Sequence, residues 1–256
     1  MGDSERSLFE APFLIAGPCV LEDDSTNLRI AEQVAETGRR LGLSVIFKAS
    51  FDKANRSSLQ APRGPGLEAG LTLLEAVKRE VGLPILTDIH EPSQAATVAT
   101  VADVLQIPAF LARQTDLLVS AGNAARYVNV KKGQWLDAAQ MAGSVSKVRS
   151  GRRVEEIAVT ERGSFFGYGD LVVDFRNLRR LREECSCPAI FDITHAAPRK
   201  GSGGVERRRS DRDRRPGAGR RRRARRRFLR GGASGSAVEP VRRFYGTGIG
   251  RIAAVD

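Results

Sequence analysis

Seven short apolar runs, separated by longer amphipathic stretches, constrain the fold of this chain more than any other feature of its sequence. Each run has four to six residues and is mostly aliphatic or β-branched. This composition is typical of strands that are buried on both faces of a parallel sheet. The runs are Pro12–Ala16, Ser44–Phe47, Leu83–Thr87, Val104–Ile107, Tyr127–Val130, Glu156–Thr160 and Ala189–Ile193.

Several of the intervening stretches have helical periodicity. Asn27–Leu41 and Leu67–Val81 carry apolar residues at helical spacing, and the second is followed by the stop signal Gly82–Pro84. Further helices are predicted after Ser93 and over Leu171–Glu184. Strands that alternate with helices predict parallel βα units. No Gly-x-Gly-x-x-Gly opens a helix after the first strand, which favours a (β/α) barrel over an open dinucleotide-binding sheet.

The positive charge of the chain is confined to its final segment. Residues 196–256 contain 18 Arg and one Lys against five acidic residues, whereas residues 1–195 have a net charge of −2. The first part therefore gives no electrostatic reason to expect nucleic-acid binding. The sequence predicts a barrel domain over residues 1–195 and a separate Arg/Gly-rich segment over residues 196–256.

No eighth strand with its helix can be recognised in the Arg/Gly-rich segment. Two interpretations of the segment stay open. It is either a disordered arm for nucleic acid or anionic membranes, or the product of a frame shift, since GC-rich codons read out of frame commonly give Arg, Gly and Ala. Seven strands leave two unpaired edges, so we expect an incomplete TIM barrel and a poorly folded or inactive chain.

Cysteine usage and hydropathy indicate a cytoplasmic protein. Three cysteines do not make a disulfide framework. The N-terminus lacks a basic region followed by an apolar one, and no run approaches the ~20 apolar residues of a membrane span.

Polar and ionisable side chains follow all seven predicted strands. In a barrel, the carboxyl ends of the strands meet at one rim, where active sites lie. The densest set is Phe47–Ser58, whose ammonium, guanidinium, amide and hydroxyl groups suit phosphate and carboxylate. A strongly cationic rim indicates substrates with several negative charges. Its cations are Lys48, Lys53, Arg56, Arg113, Lys131 and Arg162.

Cys19 and His195 follow the first and the seventh strands, so a closed barrel would bring them together. A thiolate and an imidazole suit a divalent metal such as Zn or Fe. The alternative for Cys19 is a small buried hydrophobe. Cys185 and Cys187 precede the seventh strand, at the opposite rim, and we expect them to be unrelated core or surface thiols rather than a ligand pair.

Eight motifs, in chain order, resemble those of the 3-deoxy-D-manno-octulosonate 8-phosphate synthase (Kdo-8-phosphate synthase) family. The segment Lys53–Ser58 separates this family from the related synthase that makes the seven-carbon shikimate precursor. The motifs are Ile15–Cys19, Phe47–Ser58, Arg63–Gly66, Thr87–Ser93, Gln106–Asp116, Asn129–Lys132, Arg162–Gly163 and Phe191–His195.

The resemblance implies a (β/α)8 barrel, usually a homotetramer. Such an enzyme condenses phosphoenolpyruvate with D-arabinose 5-phosphate and water, giving 3-deoxy-D-manno-octulosonate 8-phosphate and phosphate in lipopolysaccharide biosynthesis. Three sets of site residues carry over by motif. The catalytic set is Asp88, His90 and Lys53. The phosphoenolpyruvate set is Lys53, Lys131 and Arg162, with Lys48 close by as a further substrate-binding residue. The sugar-phosphate set is Asn55, Arg56 and Ser57, with Arg56 reaching a neighbouring subunit, and Gln106 is a further substrate-binding residue.

The family divides by the residue at the end of the first strand, which is asparagine in metal-independent members and cysteine in metal-dependent ones. Cys19 resembles the metal-dependent type, which also uses the histidine that corresponds to His195. The resemblance thus implies a divalent Zn, Fe or Mn. The family's metal-binding Glu and Asp have no counterpart in residues 196–256, so we expect weak metal binding.

Overall fold

The computed structural model describes residues 7–10, 12–56, 58–166 and 171–196, together with backbone strands at 198–200, 206–208 and 250–254. The strands are β1 Phe13–Val20, β2 Ser44–Ser50, β3 Ile85–Asp88, β4 Val104–Ile107, β5 Tyr127–Lys131, β6 Glu156–Glu161, β7 Ser164–Phe165, β8 Leu171–Val172, β9 Ala189–Phe191, β10 Pro198–Lys200, β11 Glu206–Arg208 and β12 Gly250–Ala254. The helices are α1 Asp24–Leu41, α2 Leu67–Val81, α3 Gln94–Val98, α4 Thr115–Ala124, α5 Ala138–Arg149 and α6 Arg176–Cys185, with a 3-10 turn at Ala109–Leu111.

Seven parallel strands, β1 to β6 and β9, curl into most of a barrel with helices between them, as the apolar runs predict. The eighth position is taken by β12, which runs antiparallel to both of its neighbours. In this pairing Ile252 lies opposite Ile15, and Ala253 opposite Phe191. The two edges that the apolar runs leave open are therefore joined through β12. A parallel eighth strand with its own helix does not occur within the described ranges.

The last predicted helix begins later than its periodicity indicates. Leu171 and Val172 form β8, which pairs with β7 in a two-stranded sheet. Helix α6 starts at Arg176, whose backbone N–H donates to the Asp174 carboxylate at 3.0 Å. Such a local side-chain bond fixes a helix start and competes with extension of the helix toward its amino end.

Helices α4 and α5 occupy stretches for which the apolar periodicity predicts no helix. The start of α5 carries a capping box, in which the Gln140 backbone N–H donates to Asp137 Oδ1 at 2.7 Å and the Asp137 backbone N–H donates to Gln140 Oε1 at 3.1 Å. The D-x-x-Q spacing is a recognised sequence signal for a helix start, so α5 was predictable.

The barrel interior is filled in layers. Its amino-terminal part is an apolar cluster in which residues of six parallel strands meet Phe9 and Phe13. Those strand residues are Ile46, Leu86, Val104, Tyr127, Ala158 and Ile190, and Ile15 of β1 joins them. A larger cluster lies between the strands and the surrounding helices. Within the described part of the chain, no helix is long and apolar enough to cross a bilayer.

Candidate active site

Directly above the apolar layer, a polar layer fills the carboxyl-terminal half of the barrel. Strand side chains alternate between faces, so the residue two positions after each interior apolar residue also points into the barrel. At six strands this residue is polar and buried. The members are Lys48, Asp88, Gln106, Asn129, Thr160 and Asp192.

Hydrogen bonds connect this layer across five adjacent strands, all oriented toward Asp88. The Thr160 hydroxyl donates to Asn129 Oδ1 at 2.8 Å, and Asn129 Nδ2 donates to Gln106 Oε1 at 2.9 Å. Gln106 Nε2 in turn donates to Asp88 Oδ1, and the Ser50 hydroxyl donates to Asp88 Oδ2. We call this series the Asp88 ladder. It ends on a carboxylate that only accepts, so Asp88 is held as an anion.

Lysine side chains surround this anion. Lys48 Nζ lies 3.4 Å from Asp88 Oδ2 and also donates to Ser50 Oγ at 2.8 Å and to the Cys19 carbonyl at 2.9 Å. Burial lowers the pKa of Lys48, although Asp88 opposes that shift. Burial alone would raise the pKa of Asp88. The charges of Lys48, Lys53 and Lys131 outweigh it and hold that pKa far below its usual range.

Cys19 reaches the opening at the carboxyl end of the barrel, here called the mouth, through an irregularity in β1. The register between β1 and β2 shifts between Ala16 and Cys19, and Cys19 has a left-handed φ of 78°. A side chain at Gly17 would meet the Lys48 carbonyl oxygen at 2.0 Å, so only glycine allows this close approach. Bulges and unusual backbone conformations of this kind redirect side chains at functional sites.

A short chain of polar contacts joins Cys19 to Lys131. Cys19 Sγ lies 3.6 Å from His195 Nε2, and His195 Nδ1 lies 2.8 Å from Asp192 Oδ2. The same carboxylate oxygen accepts from Lys131 Nζ at 2.9 Å, and its partner oxygen accepts from the His195 backbone N–H. Burial works to raise the pKa of Asp192, but His195 and Lys131 reverse the shift and hold this carboxyl ionised.

The thiol of Cys19 sits in a strongly positive environment. Burial would raise its pKa, but Lys48, Lys53 and the hydrogen bond with His195 together outweigh burial. The net pKa lies well below the usual range of a thiol. A thiolate is the form of cysteine that binds metals.

The separation of Cys19 and His195 suits a shared metal ion. A tetrahedral centre with a metal–sulfur bond of about 2.3 Å and a metal–nitrogen bond of about 2.0–2.1 Å places the two ligand atoms roughly 3.6 Å apart. The proposed ligand atom of His195 is Nε2. Asp192 orients it by holding Nδ1 of the same ring, as carboxylates commonly do behind metal-bound histidines. Among the described residues, no group of three His, Cys, Asp or Glu side chains could complete the coordination.

Lys53 and His90 lie beside this centre on the loops after β2 and β3. Burial works to lower the pKa of Lys53, but Cys19 and Asp88 raise it by a larger amount. The backbone N–H of Lys53 donates to the Arg63 carbonyl at 2.7 Å, which fixes the loop. The His90 ring packs edge-on against Phe51 at 5.8 Å, and burial lowers its pKa.

The predicted site residues divide into two groups in the structure. Lys48, Lys53, Asp88, Lys131, Cys19 and His195 are brought together at the mouth. Gln106 is also inside, where its amide bonds to Asp88 and Asn129. Asn55 and Arg56 are exposed, and Arg56 Nε donates to the Pro62 carbonyl at 2.9 Å. Arg162 is half-buried just after β6, and Ser57 lies outside the described residues.

Four residues of this site are absent from the predicted set: Ser50, Asn129, Thr160 and Asp192. The sequence carried a signal for the last three. Each lies two residues after an apolar strand residue that faces the interior, and each belongs to a run that was assigned as a strand. Alternation within the carboxyl half of each run therefore indicates the polar layer.

The fold and its polar mouth place the chain among (β/α)-barrel proteins, and comparison with known proteins shows which family it belongs to. Residues 10–212 match the model of the DAHP synthetase I family. The chain belongs to that family.

Curated relatives named 2-dehydro-3-deoxyphosphooctonate aldolase share about half of their residues with it. The protein from Syntrophotalea carbinolica is 54% identical over 192 residues, which cover 75% of this chain and 69% of the relative. A Synechococcus relative is 55% identical over 191 residues, covering 75% of this chain and 66% of the relative. A Campylobacter jejuni relative is 50% identical over 201 residues, which cover 75% of this chain and 73% of the relative. The name that these relatives bear is another name for Kdo-8-phosphate synthase, so the resemblance stated from the motifs is confirmed.

Proposed function

We propose that this chain condenses phosphoenolpyruvate with D-arabinose 5-phosphate and water, forming 3-deoxy-D-manno-octulosonate 8-phosphate and phosphate for lipopolysaccharide biosynthesis. The observation that carries this proposal is the gathering of buried lysines and carboxylates at the carboxyl end of the barrel. Lys48 lies 3.4 Å from Asp88, Lys131 lies 2.9 Å from Asp192, and the charge of Lys53 acts on Asp88 as well. Relatives at 50–55% identity that bear the name of this enzyme support the same reaction.

Two anionic substrates repel each other, so the main task of the site is charge neutralisation. Lys48, Lys53, Lys131 and Arg162 bind phosphoenolpyruvate, and Asn55, Arg56 and Ser57 bind the sugar phosphate. Asp88 and Asp192 offset the mutual repulsion of the lysines before substrate arrives. Because these cations are fixed in a partly desolvated mouth, they act more strongly on substrate oxygens than they would in water.

The reaction itself needs one carbon–carbon bond and the loss of one phosphate. The enol C3 attacks the sugar aldehyde, water adds at C2, and phosphate leaves with cleavage of the C2–oxygen bond. His90, with its lowered pKa, is neutral at pH 7 and can exchange a proton with the reacting oxygens. Asp88 accepts from Gln106 and Ser50 and is held as an anion, so its role at the reaction centre is electrostatic.

Cys19 and His195 would hold a divalent Zn, Fe or Mn ion. Such an ion polarises an aldehyde and orients water. With two protein ligands in place, binding is expected to be weak. Cobalt titration tests this proposal without an activity assay, since a thiolate ligand gives Co²⁺ a near-ultraviolet charge-transfer band. That band should be lost in Cys19→Ser, and its absence from the unmodified chain would contradict the site.

We also propose that the chain acts as a cytoplasmic homotetramer. Three exposed aromatic rings form a continuous patch at the active-site rim. The ring centroids of Phe110 and Trp135 are 6.2 Å apart, and those of Trp135 and Phe165 are 6.4 Å apart. The exposed fraction is still 52% for Phe110, 43% for Trp135 and 45% for Phe165. A second copy of the chain would cover this patch, and the exposed Arg56 could then reach a neighbouring mouth. Light scattering on Trp135→Ser should show a smaller particle than on the unmodified chain.

The charge of residues 196–256 favours a second candidate function, which is nucleic-acid binding through that segment. A net +14 over 61 residues is sufficient for salt-dependent binding to phosphates. A gel shift that weakens with salt and disappears when Arg220–Arg227 are replaced by Gln would support it. The division of the chain at residues 195 and 196 stays a proposal that cannot include β12, since this strand pairs with β1 and β9 of the barrel. Sequencing the gene around codons 196–206 tests the frame-shift interpretation of the segment.

The test of the main proposal is phosphate release by the purified chain. Release from phosphoenolpyruvate should require arabinose 5-phosphate, and mass spectrometry should detect the eight-carbon product. Lys53→Met should abolish release. Lys78→Met, at the opposite end of the barrel, should retain it. A folded, metal-supplied chain that releases no phosphate would refute the function.

A further inference from the structure

Behind the mouth, a lysine that the proposed reaction does not use is completely buried. Lys132 has 0% of its surface exposed, and its Nζ lies 3.5 Å from Glu161 Oε1, which belongs to a residue that is 1% exposed. Burial lowers the pKa of Lys132 and the Glu161 carboxylate opposes that shift. Buried ions of this kind are costly, because their mutual attraction must repay the loss of hydration.

Lys132 connects two loops of the barrel rim. Its Nζ contacts the carbonyls of Gly133 and Leu136 on the loop after β5, each at 3.3 Å. It also contacts the Gly163 carbonyl at 3.3 Å and Ser164 Oγ at 3.2 Å on the loop after β6. One ammonium group thus lies among four uncharged oxygens from the two loops, in addition to the carboxylate.

Glu161, the other member of the ion pair, also holds the loop after β6. Its Oε1 accepts from the Gly163 backbone N–H at 2.6 Å, and its Oε2 accepts from Asn177 Nδ2 of α6 at 3.0 Å. Gly163 has a φ of 91°, so the chain turns sharply at this point. The ion pair therefore sets the path of the chain on both sides of Arg162.

The neighbours of the pair are two of the proposed phosphoenolpyruvate ligands. Lys131 precedes Lys132, and Arg162 follows Glu161. Strand alternation directs Lys131 into the barrel, where it meets Asp192, and directs Lys132 toward the helices. A displacement of either loop would consequently move a ligand for the same substrate. Asn55 and Arg56, the proposed sugar-phosphate ligands, lie on a different loop, after β2.

We propose that the Lys132–Glu161 pair is a positioning device that sets the spacing of Lys131 and Arg162 for phosphoenolpyruvate. This inference rests on the proposed function. Neither member touches substrate. Two apolar residues of similar volume could replace this buried ion pair with little change in the stability of the fold. Stability alone therefore does not explain why the pair is present. A hydrophobic replacement could not reproduce the bonds to the two loops.

The experiment compares Michaelis constants for the two substrates in the Lys132→Met/Glu161→Gln double variant. This variant removes both charges together, so no unpaired buried ion is left. We expect a KM for phosphoenolpyruvate that rises about tenfold, with a KM for arabinose 5-phosphate that stays within about twofold, since small misplacements of binding groups are costly. The thermal unfolding midpoint records whether each preparation is folded.

Two further variants keep the test decisive if the double variant does not fold. Ser164→Ala removes a single contact of Lys132 and should raise the same KM by about twofold to fivefold, the value of one modest hydrogen bond. Lys78→Met is the matched control, because Lys78 also pairs with a carboxylate and a carbonyl, but at the amino end of the barrel. It should lower stability and leave both constants unchanged.

Each outcome is informative. Equal increases of the two constants, an unchanged constant for phosphoenolpyruvate, or the same selective effect in Lys78→Met would overturn the positioning role while the proposed reaction stands. An unmodified chain without arabinose 5-phosphate-dependent phosphate release would overturn the reaction, and the inference with it.

Discussion

Asp192, which is absent from the predicted set of site residues, joins two parts of the site. Its carboxylate holds the ring of His195 on one side and the ammonium of Lys131 on the other. It therefore links the proposed metal ligands to the proposed substrate cations. Replacing Asp192 should therefore affect both sets, because the polar groups that it leaves behind are buried.

Replacing Asp192 with Asn should weaken metal binding. The amide keeps the shape of the carboxylate but loses the charge that stabilises and orients His195. We expect Co²⁺ affinity to fall by about 10–100-fold, as for other residues that support metal ligands. Equilibrium titration of the charge-transfer band measures it. Asp174→Asn, which alters a surface carboxylate paired with Arg176, is the control and should bind as the unmodified chain does.

His90 should make the stability of the fold depend on pH. Its pKa is lowered in the folded state by burial, so the unfolded chain takes up more protons between that lowered pKa and the ordinary value of about 6.5. The free energy of unfolding should therefore fall as pH decreases through this window and level off below it. Urea unfolding from pH 7.5 to 5 should show a smaller loss in His90→Gln than in the unmodified chain. Identical pH profiles would contradict the expectation.

Among the elements, the strands contribute a polar layer whose hydrogen bonds depend on their relative register. Asp88 lies opposite Gln106, and Gln106 opposite Asn129, so the side chains of successive strands meet at the same height. This register explains why one ladder can cross from β2 to β6. The elements thus position Asp88 through many small contacts rather than through one strong partner.

An apolar replacement in the middle of the Asp88 ladder should cost more than one at its end. Asn129→Leu leaves both the side-chain oxygen Gln106 Oε1 and the Thr160 hydroxyl without their partners. We expect it to lower the free energy of unfolding by about 2–5 kcal/mol. Thr160→Val leaves only the Asn129 carbonyl, at about 1–2 kcal/mol. Denaturant unfolding of the two variants compares these losses. Equal losses would show that the ladder is not continuous at Asn129.

The parallel strands were predictable from the sequence because each is a short apolar run between amphipathic stretches. The meeting of Cys19 with His195 followed from their positions at the ends of the first and seventh strands. The Asp88 ladder was harder to predict, since it depends on which strands are neighbours and on their register. The β1 bulge at Cys19 and the pairing of β12 were not predictable, because neither has a local pattern that identifies its partner.

At the scale of the whole molecule, β12 is the element on which closure of the barrel depends. Seven parallel strands would leave the edges of β1 and β9 unpaired, with their backbone donors and acceptors exposed. An antiparallel strand can satisfy both edges, since its peptide groups point alternately to either side. Residues 250–254 thereby connect the end of the chain to the strand that carries Cys19.

Proline at position 253 should separate these edges. Ala253 lies opposite Leu14 on one side and Phe191 on the other, so it is in a fully paired part of β12. Proline cannot donate to a ladder and is poorly tolerated inside a sheet, so we expect a loss of about 1–3 kcal/mol and increased aggregation. Ala253→Ser is the control, because serine keeps the backbone N–H and nearly the same volume. Denaturant unfolding and light scattering measure the two effects. If Ala253→Pro matched Ala253→Ser in both, β12 would not hold the barrel closed, and the seven parallel strands would have to be stable with open edges.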